Sequence, residues 1–405
     1  MLVAGSVTPA VPAAAAPDDS KYTPETCETF VSAPPPAEAW QMDRLRIPEL
    51  HRIATGKGVT IAVIDTGVFL GYSDYMNGVD FTWRNFTGTD RAREGRVDCA
   101  HGSFVVSLIA AQPGADPDHE FSGIAPDASI VALRALQVSS SKPDDPEPLG
   151  PVIDAIDEAI RMKVDIISIS QQGTNSDAYA AAVKKAQDAG ILVVAAAGNN
   201  GAAGKTYPAA YPGVMAVGMT TPADVADEKS QYGGGMQISV AAPGSGVVGL
   251  YPLCKPGSSG CSHDAGPAAY GSDVGTSFAT PLVAGAAALV MERYPELSAQ
   301  EVKQLLERTA DDPVGGVPDE KLGYGIINPY RALMGPRPPE SSGGGTGEER
   351  SDVHIPPVSN EVDHTQRNTA LAVAGISLGI VTVAGVVAAA LPAGRRRGWR
   401  PPDRD

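Results

Sequence analysis

Apolar positions in this chain come in short blocks separated by polar, Gly-rich or amphipathic stretches. Six blocks, at residues 59–64, 129–135, 164–170, 191–197, 214–219 and 238–242, are runs of apolar or small side chains, broken only by Arg134 and Asp165. Such runs read as strands buried on both faces. Helical spacing of apolar residues predicts helices over 102–111, 152–162 and 177–189, and two more after the last strand, over 277–294 and 299–310. Strands alternating with helices predict an α/β domain over residues 40–335: three layers, with a mostly parallel central sheet and helices on both faces. In such a sheet chemistry gathers at the carboxyl ends of the strands.

Those ends carry four reactive or polar side chains. Asp65 closes the run VTIAVID, which places a carboxylate at the edge of a buried strand. His101, in HGS, stands just before the helical segment expected over 102–111. Gly275-Thr276-Ser277 delivers a serine to the start of a long apolar helix, with Pro281 in its first turn. Asn199 follows Ala197 and Gly198 at the end of another strand. Each alone has an ordinary structural role, as turn former, helix cap or half-buried histidine. Together they form an Asp, His, Asn, Ser series on one sheet edge. A hydroxyl at a helix N-terminus with an amide beside it suits acyl transfer through a stabilised oxyanion.

Charge and cysteine usage bound the rest. A net charge of −16 over 405 residues leaves no basic face for nucleic acid. Residues 1–16 end in Ala14-x-Ala16, which suits a signal-peptidase site, although no basic n-region precedes it. Residues 17–39 form an N-terminal extension, and residues 336–368 have the Pro/Gly-rich, charged composition of a linker. Residues 370–391 run 22 positions without a charge, long enough to cross a bilayer, so a membrane helix is expected over 369–392. The tail 393–405 carries Arg395, Arg396, Arg397 and Arg400, which puts the C-terminus in the cytoplasm and the domain outside.

In an oxidising compartment the four cysteines, Cys27, Cys99, Cys254 and Cys261, read as two disulfides with three possible connectivities. Cys254 and Cys261 flank a short Gly/Ser loop and pair most naturally together, leaving Cys27 with Cys99. Cys99 stands two residues before His101, but no further zinc ligands accompany the pair. No cofactor is expected. Asp and Asn are plentiful in loops without a calcium-ligand spacing, so calcium stays open.

The motifs resemble those of the subtilases: AVIDTGV around Asp65, HGS around His101, AAAGNNG around Asn199, AAPG at 241–244 and GTSFATPLVAG around Ser277. The extension, the linker, the single apolar segment and the basic tail make the chain similar to the mycosins, membrane-anchored subtilases associated with type VII secretion. The resemblance implies a serine endopeptidase with Asp65, His101 and Ser277 as its triad and Asn199 in its oxyanion hole. It implies an N-terminal extension that wraps the domain, a protein or peptide substrate, and partners in the secretion membrane complex. A scaffold role with dispensable proteolysis, or a surface protease unconnected with secretion, are the other readings. In the family, the stretch Ser170, Gln171, Gln172, Gly173 pairs with substrate and borders the first specificity pocket, opposite Ala197 and Gly198. Two glutamines there depart from the Ser-Leu-Gly-Gly of many subtilases. Phe104 adds bulk near His101, and Ser107 stands where the family has a small glycine.

Overall fold

The computed structural model describes residues 39–68, 74–87, 101–115, 121–136, 149–251 and 269–335. The four cysteines, residues 1–38, the linker and the apolar segment at 369–392 lie outside the described residues. Among those described, no helix is long and apolar enough to cross a membrane.

Seven strands form one sheet: β1 (Thr60–Asp65), β2 (Phe81–Asn85), β3 (Ser129–Arg134), β4 (Ile166–Ile169), β5 (Leu192–Ala196), β6 (Met215–Thr220) and β7 (Val240–Pro243). Their spatial order is β2-β3-β1-β4-β5-β6-β7, and every pair is parallel. The chain therefore passes from β1 to the edge strand β2, fills the gap between them with β3, then crosses to the other side of β1 and builds outward from β4 to β7. The reversal opens a crevice at the carboxyl ends of β1 and β4, where ligands sit in open parallel sheets.

The helices fill both faces because the strands are apolar on both. Along β1, Ile61 and Val63 join the core that holds α3 (His101–Ala110) and α6 (Thr276–Arg293). Ala62 and Ile64 join the opposite core, under α4 (Leu149–Met162) and α5 (Asp177–Asp188). The latter two are amphipathic, α4 burying Val152, Ala155, Ile156 and Ala159. By contrast α6 is buried along nearly its whole length, packed against α3 and across β4 to β7. Another helix, α7 (Ala299–Arg308), starts with a capping box in which the Ser298 and Glu301 side chains each bond the other's backbone N–H.

Several elements lie beyond the apolar runs. An antiparallel ribbon of β8 (Ser245–Tyr251) and β9 (Ala269–Val274) leads into α6. The short helices α1 (Trp40–Leu45) and α2 (Ile47–Leu50) pack against the domain before β1, and α8 (Pro329–Met334) closes it.

Candidate active site

Asp65 is the last residue of β1 and is 1% exposed. Its Oδ1 accepts from the Thr66 N–H at 2.7 Å and lies 2.8 Å from His101 Nδ1. A carboxylate there makes Nδ1 the donor, which fixes the tautomer and ring direction. The start of α3 reaches this loop only because residue 102 is glycine. A Cβ on Gly102 would fall 1.9 Å from the Gly67 carbonyl oxygen. The Gly102 N–H donates to Thr66 Oγ1 at 2.9 Å, holding the helix start against the end of β1.

The two departures behind His101 find their places in the core. Phe104 is fully buried, its ring 4.7 Å from those of Phe278 and Tyr251. Its bulk fits because β8 has a glycine opposite: a Cβ on Gly249 would lie 2.6 Å from the ring. The Ser107 hydroxyl donates to the Phe104 carbonyl at 2.7 Å and accepts from the Leu250 N–H at 3.0 Å, which ties α3 to the edge of β8.

Ser277 is the second residue of α6, and Gly275, not the serine, is the N-cap. In the resting arrangement its hydroxyl donates to the Ser170 carbonyl at 2.9 Å. The neighbouring Phe278 ring lies 5.3 Å from the His101 ring, so the serine and the imidazole share one corner of the edge. Pro281 falls in the second turn of α6, one turn later than the first-turn position expected. Having no N–H, it leaves the Ser277 carbonyl without its i+4 helical donor.

Asn199 is exposed, but its side chain is held from behind. Its Oδ1 accepts from both the Thr276 N–H (2.8 Å) and the Thr276 hydroxyl (3.0 Å). That orientation leaves Nδ2 on the side of Gly275, the N-cap of α6. The Thr276 hydroxyl also accepts from the Gly198 N–H at 3.1 Å. Thr276, fully buried, thus couples the end of β5 to the serine's own helix turn. Sequence reasoning passed over this residue, although it stands inside the Gly-Thr-Ser motif.

The stretch after β4 splits. Gln171 turns into the core beside the Tyr179 hydroxyl, and among the described residues neither group makes a bond of normal geometry. Burial pushes the Tyr179 phenol far up, with the nearby Tyr211 adding to the rise and Gln171 opposing it. Gln172 turns the other way, its Oε1 accepting from the Asn199 N–H at 3.3 Å. Gly173 exchanges backbone bonds with Tyr207, donating at 2.7 Å and accepting at 3.3 Å. Across the gap, Ala197 and Gly198 follow β5, and the Ala197 carbonyl accepts from the Thr206 hydroxyl. Asp65, His101, Asn199 and Ser277, with the stretches 170–173 and 197–198, therefore lie along the carboxyl edge of the sheet, while the four cysteines expected to pair fall outside the described residues. An imidazole backed by a buried carboxylate, a hydroxyl on a helix N-terminus and an anchored amide form a set able to make and break an acyl ester.

The model of the subtilase family matches residues 56–325, which holds the whole constellation. The chain belongs to the subtilase family. This subtilase is 33% identical to subtilisin E of Bacillus subtilis over 277 residues, 66% of this chain and 65% of that one. It is 31% identical to mycosin-1 of Mycobacterium tuberculosis over 407 residues, 88% of this chain and 86% of the relative. The longer span sets it among subtilases of the mycosin type. A solved structure of MycP1, a serine protease and essential component of the type VII (ESX-1) secretion system, superposes with a TM-score of 0.60. That match is 29% identical and covers 78% of this chain and 96% of MycP1. The subtilase is accordingly a serine endopeptidase with the subtilisin-like fold.

Proposed function

We propose that this subtilase is a membrane-anchored, extracytoplasmic endopeptidase of the mycosin type that works with a type VII secretion system. In this reading Asp65, His101 and Ser277 are its triad. The carrying observation is the 2.8 Å contact of His101 with the buried Asp65, on the same edge as Ser277 and Asn199. With Nδ1 committed to Asp65, proton transfer falls to Nε2. As a peptide binds along Ser170 to Gln172, the Ser277 hydroxyl leaves the Ser170 carbonyl and gives its proton to His101 while Oγ attacks the scissile carbonyl. The tetrahedral oxyanion is held by Asn199 Nδ2 and the Ser277 N–H. His101 then protonates the leaving amine, and water repeats the sequence to free the acyl group.

A serine-directed phosphonate tests the chemistry. Wild-type protein is expected to be labelled once, on Ser277, and Ser277→Ala to lose both labelling and peptide cleavage. Labelling that survives in Ser277→Ala would sink the assignment.

A second reading, a scaffold for the secretion membrane complex with proteolysis dispensable, draws on the likeness to mycosin-1 beyond residues 56–325. Secretion that continues with Ser277→Ala but stops when the chain is deleted would favour it. Secretion unaffected by deletion would point to a surface protease with no secretion partner.

A further inference from the structure

Beside the proposed oxyanion donor, three side chains crowd onto the Cα of Gly198. This glycine has φ +107°, and a Cβ built on it would lie 2.6 Å from Gln172 Oε1, 2.9 Å from Thr206 Cγ2 and 3.0 Å from Gln231 Oε1. Two amide oxygens therefore converge on one small space, walled on its third side by a methyl. Their circumstances differ. Gln172 is exposed, and its Oε1 already accepts from the Asn199 N–H. Gln231 is 5% exposed, and its buried Oε1 finds no donor among the described residues. Its main chain is pinned to the same place, since the Gln231 N–H donates to the Gly198 carbonyl at 2.9 Å. A buried acceptor without a partner has lost its hydration with nothing in return, a deficit that a ligand bringing a donor removes.

The position decides which part of a ligand arrives there. A peptide whose carbonyl carbon meets Ser277 Oγ, with its oxygen toward Asn199, carries its side chain two bonds from the attacked atom. Gly198 and Asn199 are consecutive, so that side chain is the group placed nearest the two oxygens, and it reaches the buried Gln231 Oε1 as the exposed Gln172 side chain moves aside. We propose that Gln231, assisted by Gln172, is a specificity-determining residue. It selects, at the substrate residue whose carbonyl is attacked, a neutral side chain bearing an N–H or O–H donor over its apolar isostere. This rests on the protease reading above. The acceptors are uncharged amides, so a neutral donor is satisfied without burying a charge. An apolar side chain of the same shape leaves Oε1 unpaired, and sites built to hydrogen-bond a substrate reject the analogue that lacks the donor.

The test uses peptides identical except at that residue, paired as Asn against Leu, Thr against Val and Gln against Met. Wild-type enzyme is expected to show kcat/KM about tenfold or more higher for the polar member of each pair. In Gln231→Met the ratio falls to about one or inverts. Both substrates are compared on one preparation, so the ratio does not depend on how much of a variant folds. Gln172→Met, at an exposed position, lowers the same ratio severalfold and stands in should Gln231→Met yield no soluble protein. A wild-type preference for the apolar member, or a ratio unmoved by either substitution, overturns the proposal. No cleavage of any peptide, together with no phosphonate labelling, overturns instead the protease reading beneath it.

Discussion

Thr276 makes no contact that a substrate would feel, yet three bonds pass through it. Its N–H and hydroxyl hold Asn199 Oδ1, and the same hydroxyl receives the Gly198 N–H. It is a positioning residue acting through Asn199. Removing one oxyanion donor costs about 10²–10³ in kcat, and that is the expected loss in Asn199→Ala. Thr276→Val keeps the backbone bond to Oδ1 and loses only the hydroxyl. Of the two bonds that go with it, the one to Oδ1 positions Asn199, and at roughly 0.5–1.5 kcal/mol its loss gives a fall of about two- to tenfold in kcat, with KM nearly unchanged. The double variant is expected to be no slower than Asn199→Ala, because Thr276 has nothing left to position. Additive losses on a cleavable peptide would show that Thr276 acts elsewhere. Asp65 and Asn199 were legible because each closes an apolar run within a short local motif, and His101 and Ser277 because each opens an apolar helix within one. Thr276 and Gln231 were not, since their partners lie 77 residues away for Thr276 and across a folded loop for Gln231.

At the scale of elements, β8 shows how a strand edge is closed by side chains. One edge pairs with β9; on the other, the Trp40 indole N–H donates to the Gly246 carbonyl at 3.1 Å. The Gln41 amide donates to the Val248 carbonyl at 2.7 Å and accepts from the Val248 N–H at 3.3 Å. Ser107 takes the Leu250 N–H. Three side chains at alternate positions do the work of a neighbouring strand, and they fasten α1 and α3 to the ribbon that feeds the Ser277 helix. Gln41→Leu leaves the Val248 N–H and carbonyl buried and unpaired, and about 2–4 kcal/mol of unfolding free energy is expected to go with them. Denaturant unfolding of Gln41→Leu beside wild type reads this directly, and an unshifted midpoint would refute it. The same ribbon explains what the apolar pattern missed. SGVVGLY and AYGSDV contain glycines and are only partly apolar, and their pairing joins residues 18 to 29 positions apart. β2, FTWRN, is an edge strand with a single buried residue, Asn85, whereas the six recognised strands announce themselves by burial on both faces.

On the scale of the whole domain, α1 and α2 are joined to the rest through partly buried polar contacts, and one of these, at His51, makes stability depend on pH. Arg44 of α1 bonds Asp224 at 2.6 Å and Asp311 at 3.0 Å, while His51, after α2, places Nε2 3.0 Å from the Gly123 carbonyl in the loop entering β3. A carbonyl accepts only, so Nε2 carries the proton. Burial lowers the His51 pKa below its ordinary 6.5, and hydrogen bonds to the Gly123 and Ile124 backbone and the charge of Asp127 only partly offset this. The folded state therefore favours the neutral ring, and the unfolded chain binds the proton first as pH falls. The contribution of His51 is complete above about pH 6.5, is lost as pH drops through the lower folded value, and changes no further once both states are protonated. His51→Gln keeps an N–H for Gly123 and removes the titration. The unfolding temperature of wild type relative to His51→Gln is expected to fall between pH 7.5 and pH 5. Other acid-sensitive groups are common to both proteins, so the difference isolates the imidazole. A difference constant across that range would mean that the histidine enters and leaves the fold with its proton affinity unchanged.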